Sequence, residues 1–127
     1  MPPSEDAQLL LRIVERHLRS LTFGLDEQFP AEDWGFTAQQ AVEKLLKCWI
    51  VLADGEPPRS HELDLLASEA NLELNELLLG LQPFAVDARD QDGDFKLPAS
   101  RARIVEEIQL LADQLRQAIE AGANTSP

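Results

Sequence analysis

Residues 32–53 read Glu32-Asp33-Trp34-Gly35-Phe36-Thr37-Ala38-Gln39-Gln40-Ala41-Val42-Glu43-Lys44-Leu45-Leu46-Lys47-Cys48-Trp49-Ile50-Val51-Leu52-Ala53. At about 100° per residue their apolar positions form two adjacent rows. Ala38, Ala41, Leu45, Cys48 and Leu52 make one, and Val42, Leu46, Trp49, Ile50 and Ala53 make the other. Together the rows span roughly 200°, against the ~100° that suffices for a surface helix. The segment is therefore expected to be a central helix with neighbours on two sides. Its remaining arc carries Gln39, Gln40, Glu43, Lys44 and Lys47, with Glu43 and Lys47 oriented for an ion pair along the helix.

Working outward from this helix, apolar periodicity and Pro/Gly punctuation give an all-α chain, an antiparallel up-and-down bundle of four to five helices. Upstream, Ser4 is read as the cap of a helix whose stripe is Ala7, Leu10, Leu11, Val14, Leu18 and Leu21, ending near residue 22 ahead of Gly24. Downstream, Asp54-Gly55-Glu56-Pro57-Pro58 stops the central helix, with Gly55 as the expected C-cap glycine. Ser60 is read as the cap of a short helix to about Glu69, and Asn71 as the cap of another from Leu72, kinked or split at Pro83. Asp90 to Asp94 is a polar turn. A last helix from near Ser100 to about Ala121 carries Ile104, Val105, Ile108, Leu111, Ala112, Leu115 and Ile119.

The 127 residues, 44% of them apolar, suit one domain over 1–127 with a core at about 5–120. The start lacks the basic, uninterrupted apolar character of a signal peptide, and no apolar run approaches the ~20 residues of a membrane span. A cytoplasmic chain without a membrane segment is expected. The net charge of −12 is spread over the chain, with ten acids against six bases in residues 1–60 and thirteen against five in 61–127. An acidic surface of this kind repels phosphate backbones, so autonomous DNA binding is not expected. Cys48, the one cysteine, is read as a small core hydrophobe.

Phe36-Thr37-Ala38-Gln39-Gln40-Ala41-Val42-Glu43-Lys44-Leu45-Leu46-Lys47 resembles the signature helix of HEPN domains. Gly55-Glu56-Pro57-Pro58-Arg59-Ser60-His61-Glu62-Leu63 is similar to the loop that follows it in that family, and Phe84-Ala85-Val86-Asp87-Ala88-Arg89 to the segment closing its next long helix. The resemblance implies an antiparallel helical bundle, commonly a homodimer and frequently the partner of a minimal nucleotidyltransferase in a toxin–antitoxin pair. In ribonuclease members an arginine and a histidine, separated by roughly four to six residues, sit near the start of a late helix. Here Arg101 and Arg103 have no histidine after them, and the histidines are His17 and His61. Arg12 and His17 have a suitable separation but lie ~140° apart on the first helix. Asp90 stands where many members have a tyrosine, and the chain has none.

The expectation is thus a non-catalytic binding and assembly protein paired with a minimal nucleotidyltransferase. The alternatives are a diverged ribonuclease built on Arg101, Arg103 and His61, or a bundle that binds nucleotides. Candidate binding residues are Gln40, Lys44, Lys47, His61 and Arg89, with His61 otherwise held by a loop carbonyl. No catalytic set, metal-ligand cluster or cofactor motif is visible. Asp90, Asp92 and Asp94 around Gly93 make an incomplete calcium loop, with Ala88 and Ala99 at two main ligand positions. Part of the central helix's wide arc is expected to remain uncovered in one chain, which favours a homodimer, unless the short helices around residues 62–82 fold over it.

Overall fold

A computed structural model describes residues 3–85 and 96–124. Among the described residues the chain is entirely helical: α1 (Pro3–Phe23), α2 (Ala31–Leu52), α3 (Leu63–Glu69), α4 (Glu76–Leu79), a 3-10 turn (Gln82–Phe84) and α5 (Arg101–Asn124). The three long helices form the frame. The Cys48 thiol donates to the Ala7 carbonyl at 3.0 Å, and Trp34 Nε1 donates to the Leu21 carbonyl at 3.0 Å. These bonds, at opposite ends of the pair, make α1 and α2 antiparallel. Glu15 meets Arg116 while Arg101 reaches the loop after α1, so α5 also runs antiparallel to α1.

The stripe read for α1 is its buried face: Ala7, Leu11, Val14, Leu18 and Leu21 are all in the core, with Leu10 at its edge. On α2 both apolar rows go inside, Ala38, Ala41, Val42, Leu45, Leu46, Cys48 and Ile50 being buried. Most of the arc is closed by this chain alone, with Trp49 and Leu52 half-buried and Ala53 exposed at its C-terminal end. α1 and α5 pack on α2 from one side, and α3 and the 3-10 turn cover the other. The uncovered arc expected on the central helix is therefore confined to its C-terminal end, because Leu63, Leu66, Leu78, Leu81 and Phe84 complete the core over the rest.

Gly35 is where the turn can come close. A Cβ on it would lie 2.3 Å from Cδ1 of Phe84, so only glycine admits the ring against α2. Several helix ends differ from the expectation. Ser4 lies inside α1 rather than ahead of it. Gly55 has no positive φ; Asp54 takes the left-handed position (φ 65°), with Gly55 N donating to the Ile50 carbonyl and Asp54 N to that of Val51. Asn71 does not cap a following helix: it ends α3 in the same left-handed way (φ 58°). Asn75 caps α4 instead, accepting from Leu77 N at 2.9 Å, and α4 is a single turn. Ser60 bonds Glu62 N in a turn, and α3 starts one residue after Glu62. Pro83 lies within the 3-10 turn, after α4 has ended at Leu79, so the stretch is two short pieces and not one kinked helix. Arg89 and the Asp90–Asp94 turn lie outside the described residues.

Candidate functional site

The polar arc of α2 is not a solvated face. Gln39 and Glu43, one helical turn apart, have no exposed surface. Burying an ionised carboxylate is costly unless every acceptor site is filled, and here both oxygens are occupied. Oε1 of Glu43 lies 2.8 Å from Nδ1 of His61, 3.3 Å from Nε2 of Gln39 and 3.4 Å from Nε2 of Gln40. Oε2 accepts from Nζ of Lys47 at 3.2 Å and has Nζ of Lys44 at 3.6 Å. Burial is the largest influence on this carboxyl and opposes its ionisation. The hydrogen bond from His61 and the charge and hydrogen bond of Lys47 outweigh it, so Glu43 sits below its ordinary range.

The same cluster ties the α2–α3 loop down. Nε2 of Gln39 also donates to the His61 carbonyl at 3.1 Å, and Gln40 donates to Oε1 of Gln39 at 2.8 Å. His61 is thus held through both its ring and its backbone. The ring's partner is an acid and not the loop carbonyl expected for it. Nδ1 of His61 faces the ionised carboxylate and so carries a proton towards it, while the ring, 63% exposed, turns Nε2 away from Glu43. Lys44 and Lys47 border it, half-buried, and their two charges exceed that of Glu43. Chemically, the arrangement offers an anion a cationic rim beside a fixed imidazole. Gln40, Lys44, Lys47 and His61 come together around Glu43; sequence reasoning had Glu43 and Gln39 as surface residues and so missed the hub. Their spacing of four, continued by Lys47, shows that they share one stripe of α2, but their burial comes from His61 across the loop.

His17, on the α1 side of this rim, has a pKa lowered by burial and by the charges of Arg16 and Lys44. It remains apart from Arg12, which is exposed. Arg101 is elsewhere. Its Nη1 donates to the carbonyls of Gly24 (2.7 Å) and Asp26 (2.8 Å), its Nη2 to that of Phe29 (2.6 Å), and its guanidinium lies 5.6 Å from the Trp34 ring centroid. Arg103 pairs with Glu107 at 2.9 Å. The set Arg101, Arg103 and His61 therefore has each member bonded to a different group: loop carbonyls, a carboxylate on α5, and the α2 hub. Among the described residues no group of histidine, cysteine or acidic side chains is arranged to hold a metal ion, and no helix is long and apolar enough to cross a membrane.

Neither a curated protein nor a solved structure matches the chain. The family model described as the HEPN domain matches residues 7–121, which takes in all of α2, its polar hub, the His61 loop and most of α5. With nearly the whole bundle inside that match, the chain belongs to the HEPN domain family.

Proposed function

We propose that this chain is a non-catalytic binding and assembly module, acting as a homodimer and pairing with a minimal nucleotidyltransferase in a toxin–antitoxin-like system. The observation that carries this reading is the engagement of Arg101. An arginine near the start of a late helix is what a HEPN ribonuclease would use, and here three backbone carbonyls and the Trp34 face already occupy it. General acid–base chemistry needs its groups within reach of one substrate, and the α2 hub holds His61 through Glu43. The hub suits recognition better. Gln40, Lys44 and Lys47 form a cationic rim on a rigid helix, and the loop beside them is pinned, so a partner's carboxylate or phosphate meets a preformed surface.

The test has two arms. Tagged chain co-expressed with a minimal nucleotidyltransferase is expected to co-purify with it, and a Lys44→Glu/Lys47→Glu variant to lose most of that association. Purified chain incubated with RNA in EDTA is expected to leave it intact. RNA cleavage that disappears on substituting Arg12, His17 or His61 would establish an enzyme and overturn the proposal.

A further inference from the structure

With most of the α2 arc closed, the larger unpartnered surface lies on another face. Leu9, Arg12, Arg16, Arg19 and Phe23 are all exposed and alternate by three and four residues, which places them on one seam opposite the buried stripe of α1. The seam runs ~21 Å along the helix. It ends in apolar side chains, Leu9 52% and Phe23 90% exposed. In a chain with 23 acids against 11 bases, its three arginines have no carboxylate within ion-pairing distance among the described residues. Lys44, Lys47, Arg103 and Arg116 each have one.

α5 carries the complementary pattern. Glu106, Leu110, Asp113, Gln117 and Glu120 alternate by four and three on its outer side, Leu110 55% exposed, opposite the buried Ile104, Ile108, Ala112, Leu115 and Ile119. The two seams belong to one face of the molecule. Arg19 and Phe23 line a groove of about 320 Å³ between α1 and α5 together with Gln109 and Arg116, and Gln109 also borders the shelf made by Glu106, Leu110 and Asp113.

We infer that this face docks onto the same face of a second copy, with α1 of each chain lying along α5 of the other. The inference rests on the homodimer reading above and assigns its seam. A two-fold axis parallel to the helices brings α1 over the second copy's α5, antiparallel, and keeps every residue at its own axial level. The level is set within the chain, where Glu15 meets Arg116 and Phe23 shares a groove with Gln109. Carried across the axis, it puts Phe23 beside Leu110 of the second copy, Arg12 beside its Glu120, and Arg16 and Arg19 beside its Asp113, which within its own chain already pairs with Arg116. Stacking α1 on α1 would instead oppose arginines.

The test is sedimentation equilibrium of the full chain with charge reversals at Arg12 and Glu120, both exposed and free of side-chain hydrogen bonds and ion pairs among the described residues. The parent is expected at twice the 14.2 kDa chain mass, dissociating as salt rises. Arg12→Glu and Glu120→Arg are each expected to weaken the dimer at least about tenfold, since symmetry repeats every substitution, and the double reversal to restore it to within ~3-fold. A dimer indifferent to both single reversals, or one that the double reversal does not recover, refutes this seam and leaves the homodimer reading standing. A mass of 14.2 kDa at high micromolar concentration, as when the face serves a different acidic protein, refutes both.

Discussion

Replacing Glu43 by glutamine changes one oxygen to an amide and leaves the shape of α2 intact, so it isolates the charge at the hub. In the parent, Oε1 takes His61, Gln39 and Gln40 and Oε2 takes Lys47, all within a carboxylate that has no exposed surface. Glu43→Gln turns Oε2 or Oε1 into a donor that must face other donors and leaves Lys47, itself half-buried, without its anion. Hydrogen bonds to a charged group contribute ~1.5–3 kcal/mol each, and removing one member of a buried pair costs ~3–5 kcal/mol. The edge of this hub is open to water at His61 and Lys44, so a loss of about 3 kcal/mol is expected, or a fall in Tm on the order of 10 °C for a domain of this size. The measurement is thermal denaturation followed by circular dichroism. The deficit should also depend on pH. Glu43 has a folded pKa below its unfolded 4.5, so the folded chain binds fewer protons. Its contribution is complete above pH 4.5 and is lost as pH falls through the folded value, so the parent and Glu43→Gln should converge at low pH. A variant within ~0.5 kcal/mol of the parent at pH 7 would mean that the hub does not depend on the carboxylate charge and would refute the argument.

Gly35→Ala is expected to lower stability by ~1–3 kcal/mol in urea denaturation, since the new methyl would meet the Phe84 ring at 2.3 Å and force the ring off α2. Cys48, whose thiol burial raises to about 12, is expected to stay unreactive towards a disulfide reagent at pH 8 in native chain and to react fully in denaturant. His17 is expected to titrate by NMR below the ordinary 6.5 and to move upward in Lys44→Gln, because one of the charges depressing it is then gone.

How far the sequence carried the reading follows from which residues interact along a helix and which across the chain. The wide apolar arc of α2 and the stripes of α1 and α5 are periodic, and periodicity is what a buried helix face writes into a sequence; these elements stood where they were expected, within a residue or three. Glu43 and Gln39 look like surface residues by the same test. Their burial depends on His61, 18 and 22 positions away, which approaches only when the Pro57-Pro58 loop folds back, and no local pattern encodes that. Asp54 and Asn71 take the left-handed positions in competition with neighbours that propensity also favours, Gly55 for one, and local sequence does not separate them. Arg101 had no sequence sign of its role, since backbone carbonyls accept from any donor that arrives.

The Arg101 clasp also sets an order of assembly. Its three bonds join positions separated by 72 to 77 residues, whereas α1 and α2 form a hairpin whose contacts close across one short loop. Contacts between distant segments carry the greater loop-closure entropy and form late. The α1–α2 hairpin is then expected to form first and α5 to dock onto it afterwards. In a chevron analysis Arg101→Ala should steepen nothing and slow folding little, but raise the unfolding rate by nearly the whole loss in stability. Arg101, through its three carbonyl bonds, is thus expected to act as a latch on the lifetime of the native state.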